Sequence, residues 1–327
     1  MTLNWLRFII VVAACMASIA AVTTVRAQAY PKSQIKLIIP YPPGGATDRI
    51  GRQLATGLGK RLGQIMIVEN RAGATGTIGV LAAVNAPPDG YTIVLGSGGT
   101  VAIDINIEKL PYNPSRDLVA IAPVAEIPFI IVVNSAFAAR NIGELIAMAK
   151  RDPEKINFAS TGTGGPGHLL MEYFMALSNI KMTHVPYKGA APAYTDVAGG
   201  QVPVAAGDIA SALSLIKAGH LRALAVTSTE RLPLLPNVPT VAESGLPGYQ
   251  ATNWFGIFAP VKVPAEVVAV LSRLVAATVQ DAEFKKGMES LSAISMVMNK
   301  PDFDRFIASE TTRRADLIKA NNIVIDR

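Results

Sequence analysis

The sequence predicts an α/β protein built as two doubly wound lobes joined by two crossover strands, and three observations carry that expectation. After residue 27, short apolar runs alternate with amphipathic helical stretches, as parallel sheets with crossover helices require. Glycine-rich loops stand at three strand-to-helix junctions, the places where such sheets bind ligands. About 300 residues remain beyond the N-terminal segment, enough for two hydrophobic cores.

The N-terminal segment sets the compartment. One positive charge lies in residues 1–7, residues 8–22 are almost wholly apolar, and small residues follow at Val25 and Ala27. This is the layout of a cleavable secretory signal peptide spanning 1–27, with a cut after Ala29 as the near alternative. The apolar run is about 15 residues, short of the ~20 a membrane-spanning helix needs. Cys15 follows a Val-Ala-Ala run that resembles a lipobox, but lipidation there would leave the equally apolar stretch after it without a purpose. The expected product is periplasmic.

In chain order, the first lobe starts with a strand at 35–40 and a helix carrying Ile50, Leu54, Leu58 and Leu62 at a spacing of four. A strand at 65–68, a helix at 78–84, a turn at 87–90 and a strand at 91–95 complete a βαβαβ half. The apolar stretch 118–133 exceeds one strand and carries Pro123 and Pro128, so it reads as broken. The second lobe alternates helices at 142–150, 168–177, 191–198 and 209–218 with strands at 156–159, 182–185, 202–206 and 221–227. A Pro- and Gly-rich surface connection covers 231–248; a strand at 254–259 and helices at 265–279 and 303–320 follow. Those last helices need a sheet to cover, so crossings are expected near 127–134 and 250–260. Lobe 1 is then 28–130 with 251–327, and lobe 2 is 131–250.

Several functions are excluded by composition. Cys15 is the only cysteine, so the exported chain has no disulfide, thiolate metal site or cysteine nucleophile. Loss of Arg7 and Arg26 lowers the formal charge from +6 to +4, and the remaining cations are scattered. Nucleic-acid binding would want a basic stripe. The run 162–167 matches the dinucleotide fingerprint, but no acidic residue ends a second strand at the required distance. No Gly-x-Ser-x-Gly elbow occurs, and His168, His184 and His220 have no metal-ligand spacing, so no metal, cofactor or catalysis is expected.

The glycine-rich loops are the candidate site. The first is 41–48, with Tyr41, Pro43, Gly44, Gly45, Thr47 and Asp48; the second is 96–100, with Ser97 and Thr100. The third is 160–168, with Ser160, Thr161, Gly162, Thr163, Gly164 and His168. Helix N-termini at such loops offer unpaired N–H groups to an anion, and glycine permits close approach. Tyr187 and Asp208 also follow strands and reach the same rim; Asp208 is open to two roles, helix cap or ligand contact. His184 and His220 read as structural. Neither 41–48 nor 160–168 contains Lys or Arg, so an anion would rest on neutral donors.

The run VPYKGAAPA at 185–193, LRALAVTS at 221–228, VPTVAESG at 238–245 and Trp254-Phe-Gly together resemble the Bug family, the substrate-binding proteins of tripartite tricarboxylate transporters. The resemblance covers essentially the whole exported chain. It implies a type II periplasmic-binding-protein fold, no enzymatic activity, and a small carboxylate held between loops 41–48 and 160–168 with help from ordered water. By position it points to Gly44, Gly45, Thr47, Asp48, Thr161, Gly162, Gly164, His168, Tyr187 and Asp208. The implied partner of a monomeric binding protein is a membrane transporter; a sensor receptor is the alternative, and an enzyme acting on a carboxylic acid the more distant one. Small Ala205, Ala206 and Gly207, Pro166, and a short 104–110 segment depart from the family pattern.

Overall fold

A computed structural model describes residues 30–103, 110–160, 162–163 and 165–320. The signal segment 1–27, the 104–109 part of the short segment, and the candidates Thr161 and Gly164 lie outside the described residues. Contacts separate Met1–Lys32 from Ser33–Arg327, and the second unit carries every element below.

The first half is β1 (Ile35–Ile39), α1 (Ala46–Leu62), β2 (Met66–Asn70), α2 (Thr77–Val84) and β3 (Thr92–Ser97), with β1 parallel to both β2 and β3. The chain then enters β4 (Leu118–Asn134). The second half is α3 (Ile142–Arg151), β5 (Asn157–Ser160), α4 (Pro166–Ser178), β6 (Thr183–Pro186), α5 (Ala190–Ala198), β7 (Val204–Asp208), α6 (Ile209–Lys217) and β8 (Leu221–Val226), with β5 parallel to β6 and β7. β9 (Thr252–Pro260), α7 (Ala265–Gln280), α8 (Ala282–Glu289), β10 (Ile294–Ser295) and α9 (Lys300–Ala320) return to the first half. Each core joins strand residues to helix residues: Ile38, Val94 and Trp254 with Phe303 of α9 in the first half, Phe158 and Val204 with Phe174 of α4 in the second.

One expectation is overturned. Residues 118–134 are not broken but form a single strand of 17 residues. Its N-terminal part pairs antiparallel with β9 from Leu118 to Pro128, and its C-terminal part with β7 and β8 from Phe129 onward. The prolines are tolerated for local reasons. Pro123 lies at a register shift and Pro128 at the change of partners, where a missing N–H costs no ladder bond. At that change Phe129 N–H donates to Thr227 Oγ1 at 2.8 Å, Thr227 N–H to Phe129 O, and Ala251 N–H to Thr227 O, which clips three passes of the chain together.

Strand direction positions the site. β3 is antiparallel to β9 and β9 to β4, so β1 and β3 run with β4; β7, and β5 and β6 beside it, run against it. The carboxyl ends of the two parallel sets therefore point toward each other across the change of partners. Through β9, Ser97 is level with Ala125 of β4, and Asp208 pairs with Phe129. Those levels are four residues apart, about 13 Å along a strand.

Candidate functional site

The first loop joins β1 to α1 and is exposed from Pro43 to Gly45. Gly44 has φ +86°, a left-handed conformation suited to glycine. Gly45 is the N-cap of α1 and makes no side-chain cap, so no hydroxyl or carboxylate at that position covers the amides of the first turn. Thr47 sits in that turn, half-buried.

Asp48 is buried and faces inward. It accepts from Gly44 N–H at 2.9 Å, from Asn70 Nδ2 at 2.8 Å and from Arg52 Nε at 2.9 Å, while Asn70 also donates to Tyr41 O at 3.0 Å. These bonds fold the loop back on α1 and the end of β2. Burial pushes the Asp48 carboxyl up, but hydrogen bonds from Arg52, Gly44 and Asn70 together outweigh it and hold the pKa below the usual value of 3.8. A carboxyl with a depressed folded pKa contributes stability that is complete above the unfolded value and is lost as pH falls through the folded one. Asp48→Asn is therefore expected to cost about 2 kcal/mol at neutral pH and to flatten the loss of stability below pH ~4. Urea denaturation of both proteins between pH 3 and 7 checks this; parallel curves would refute it.

The second loop meets the first through hydroxyls. Tyr41 OH and Ser97 Oγ are 2.9 Å apart, and buried Ser97 and Thr100 bond each other, Ser97 N–H reaching Thr100 Oγ1 at 3.1 Å.

In the second half the loop after β5 leads into α4. Gly165 is the N-cap and again makes no side-chain cap; Pro166, which has no N–H, opens the first turn. Gly167 packs so closely on β7 that a Cβ would lie 2.5 Å from Ala206 O. Gly162 has φ +130°, and the end of β5 is tied down by Tyr187 N–H donating to Ser160 O at 3.0 Å. Thr163 is exposed. His168 is buried in the first turn of α4, its Nε2 3.3 Å from Glu172 Oε1.

Tyr187 and Asp208 have internal partners. The Tyr187 hydroxyl donates to Asp196 at 2.7 Å, and Asp208 caps α6 by accepting from Ser211 N–H at 2.8 Å. Two residues outside the expected site set join the described cluster. Asn70 braces the first loop. His184, expected to be structural, stacks on His168 at 3.9 Å between ring centroids and lies 2.7 Å from Ser160 Oγ. Neither is flagged by spacing, because both arrive through lateral strand pairing.

The arrangement offers two helix starts without side-chain caps, on facing strand ends, with hydroxyls around them and no Lys or Arg in either loop. Among the described residues no cluster of three His, Cys, Asp or Glu could hold a metal ion. Helix starts of this kind suit an anion, because their backbone N–H groups are unpaired and aimed outward.

Residues 50–323 match the sequence profile of the tripartite tricarboxylate transporter family receptor, TctC. Protein BugT of Bordetella pertussis is 33% identical over 319 residues, which are 97% of this chain and 98% of BugT. A solved structure of an R. palustris protein with adipate is 31% identical, with a TM-score of 0.72 over 90% of this chain and 99% of that one. MatC from Rhodopseudomonas palustris, solved with bound malate, is 28% identical, with a TM-score of 0.67 over 88% of this chain and 100% of that one.

Proposed function

The chain belongs to the tripartite tricarboxylate transporter receptor family of periplasmic solute-binding proteins, and from that premise we propose that it captures a small carboxylate between its facing strand ends and delivers it to a membrane transporter. The observation that carries this reading is the pair of helices, α1 and α4, that begin at glycines without side-chain caps on opposed loops. A carboxylate there gains aimed backbone donors and favourable helix dipoles without ordering long cationic side chains. The structures with adipate and malate support a carboxylate as the ligand class. The reading includes export to the periplasm with removal of residues 1–27, and lobes made of 28–130 with 251–327 and of 131–250.

Protein freed of co-purified ligand by unfolding and refolding should show a raised melting temperature with its carboxylate. A ligand at a hundred times its dissociation constant adds about 2.7 kcal/mol, or roughly 5 °C for a chain of this size. Malate and adipate are the first probes, followed by a wider panel of mono-, di- and tricarboxylates. A panel without any shift would overturn the reading.

A further inference from the structure

We propose that His184 is the positioning residue of the second ligand loop, holding the end of β5 and the start of α4 with one imidazole. The proposal rests on the carboxylate reading and deepens it. β6 pairs in register with β5, so His184 stands beside Phe158 and two residues before the level of Ser160, which pairs with Pro186. From there its Nε2 reaches Ser160 Oγ at 2.7 Å, at the last residue of β5. Its ring face lies on His168 in the first turn of α4, with centroids 3.9 Å apart and planes 8° from parallel. Phe158 packs on the same ring at 5.0 Å and lies 6.3 Å from His168, so the three rings form a compact cluster.

The contact with Ser160 continues into the loop backbone. Ser160 Oγ donates to Gly162 O at 3.1 Å and accepts Gly162 N–H at 3.3 Å, so the His184 tautomer with its proton on Nε2 completes the set by donating to the same oxygen. Hydrogen bonds aligned in one direction reinforce each other. Burial, and secondarily the neighbouring His168, lower the His184 pKa to about 4, so the ring stays neutral through the neutral range. Glycine-rich backbone is costly to order, and a loop ordered before the ligand arrives spares that cost at binding. His184 supplies the order from a strand outside the loop, at both of the loop's ends.

The test is a double-mutant cycle read by calorimetry with malate or adipate, whichever the wild type binds. Ser160→Ala and His184→Leu should each weaken binding about tenfold, the equivalent of one well-made hydrogen bond. The double variant should be no weaker than either single one, because both remove the same link. His184→Gln, which keeps a planar polar group facing Ser160, should bind within about threefold of wild type, a rescue that lost packing alone would not give. If His184→Leu does not fold, Ser160→Ala combined with His184→Gln carries the cycle: the Gln change should then add no further loss. Additive losses, wild-type binding by His184→Leu, or failure of the Gln variant to rescue would overturn the proposal while wild-type binding leaves the carboxylate reading intact. A wild type that binds no carboxylate overturns both.

Discussion

Replacing Glu310 by alanine is expected to lower the stability of the ligand-free protein by about 3–5 kcal/mol, since removing one partner of a buried ion pair leaves an uncompensated charge. Glu310 lies on α9 and is 5% exposed; it accepts from Trp254 Nε1 and from Arg314 Nη2, each at 3.3 Å, and pairs with Arg313. Arg314 is itself 7% exposed, and burial pushes its guanidinium pKa down. Without Glu310 that guanidinium keeps its desolvation cost and loses its counter-charge. Arg313 would also lose the partner that aims it at Gln250 O and over the Tyr173 ring, 4.7 Å away. The melting temperature should fall by roughly 6–9 °C. Arg314→Met should cost less, because it removes the charge that needs the partner and keeps an apolar stem. A loss below about 1 kcal/mol for Glu310→Ala would mean that water reaches Arg314 once the carboxylate is gone.

Gly45→Val should weaken carboxylate binding about 30-fold or more, the worth of one to two hydrogen bonds to a charged group, with little change in the ligand-free protein. Gly45 has φ −71° and ψ 170°, extended backbone that any residue adopts, and a Cβ there meets only Pro42 O at 3.8 Å. The fold therefore has room for the side chain, at a capping cost of about 1 kcal/mol. A ligand seated on the amides after Gly45 does not have that room. Gly167 cannot serve as the mirror test, because its substitution strikes the Ala206 carbonyl and disturbs α4 itself. Lys188→Ala should change affinity less than about twofold, and binding should depend only modestly on salt, because Lys188 is exposed and the loops carry no cation. Calorimetry at low and high ionic strength measures both halves. Loss of binding in Lys188→Ala, with Gly45→Val binding normally, would sink the backbone cradle.

The alternation of elements was legible in the sequence because each strand and helix of the two halves carries its own periodicity; the helix over 209–218 and the strand over 221–227 differ from α6 and β8 by one residue at an end. What failed was pairing. Pro123 and Pro128 read as breaks because a proline removes a ladder donor, and nothing local announces that one falls on a register shift and the other where the strand changes sheets. α8 passed unnoticed, an eight-residue helix with only Phe284 and Met288 buried and too short for a firm period. The site followed the same rule. Glycines and hydroxyls at strand ends are visible in a chain read linearly, whereas His184 and Asn70 belong to the cluster only through the register of β6 on β5 and β2 on β1.

The long β4 strand and its partner β9 also impose an order of assembly. β5 to β8 and helices α3 to α6 lie in one stretch of chain, and β4 precedes them, so the second half has its strands as soon as Val226 has been made. The first half does not. β3 is finished at Ser97, but its neighbour on the inner side is β9, which begins at Thr252, and until then β3 and the N-terminal part of β4 both present unpaired edges. Loop closure over that distance is slow, and open edges recruit other chains. A chain interrupted before Thr252 would thus carry a formed second half attached to an adhesive, unfinished first one, and misassembly of this protein should start from β3.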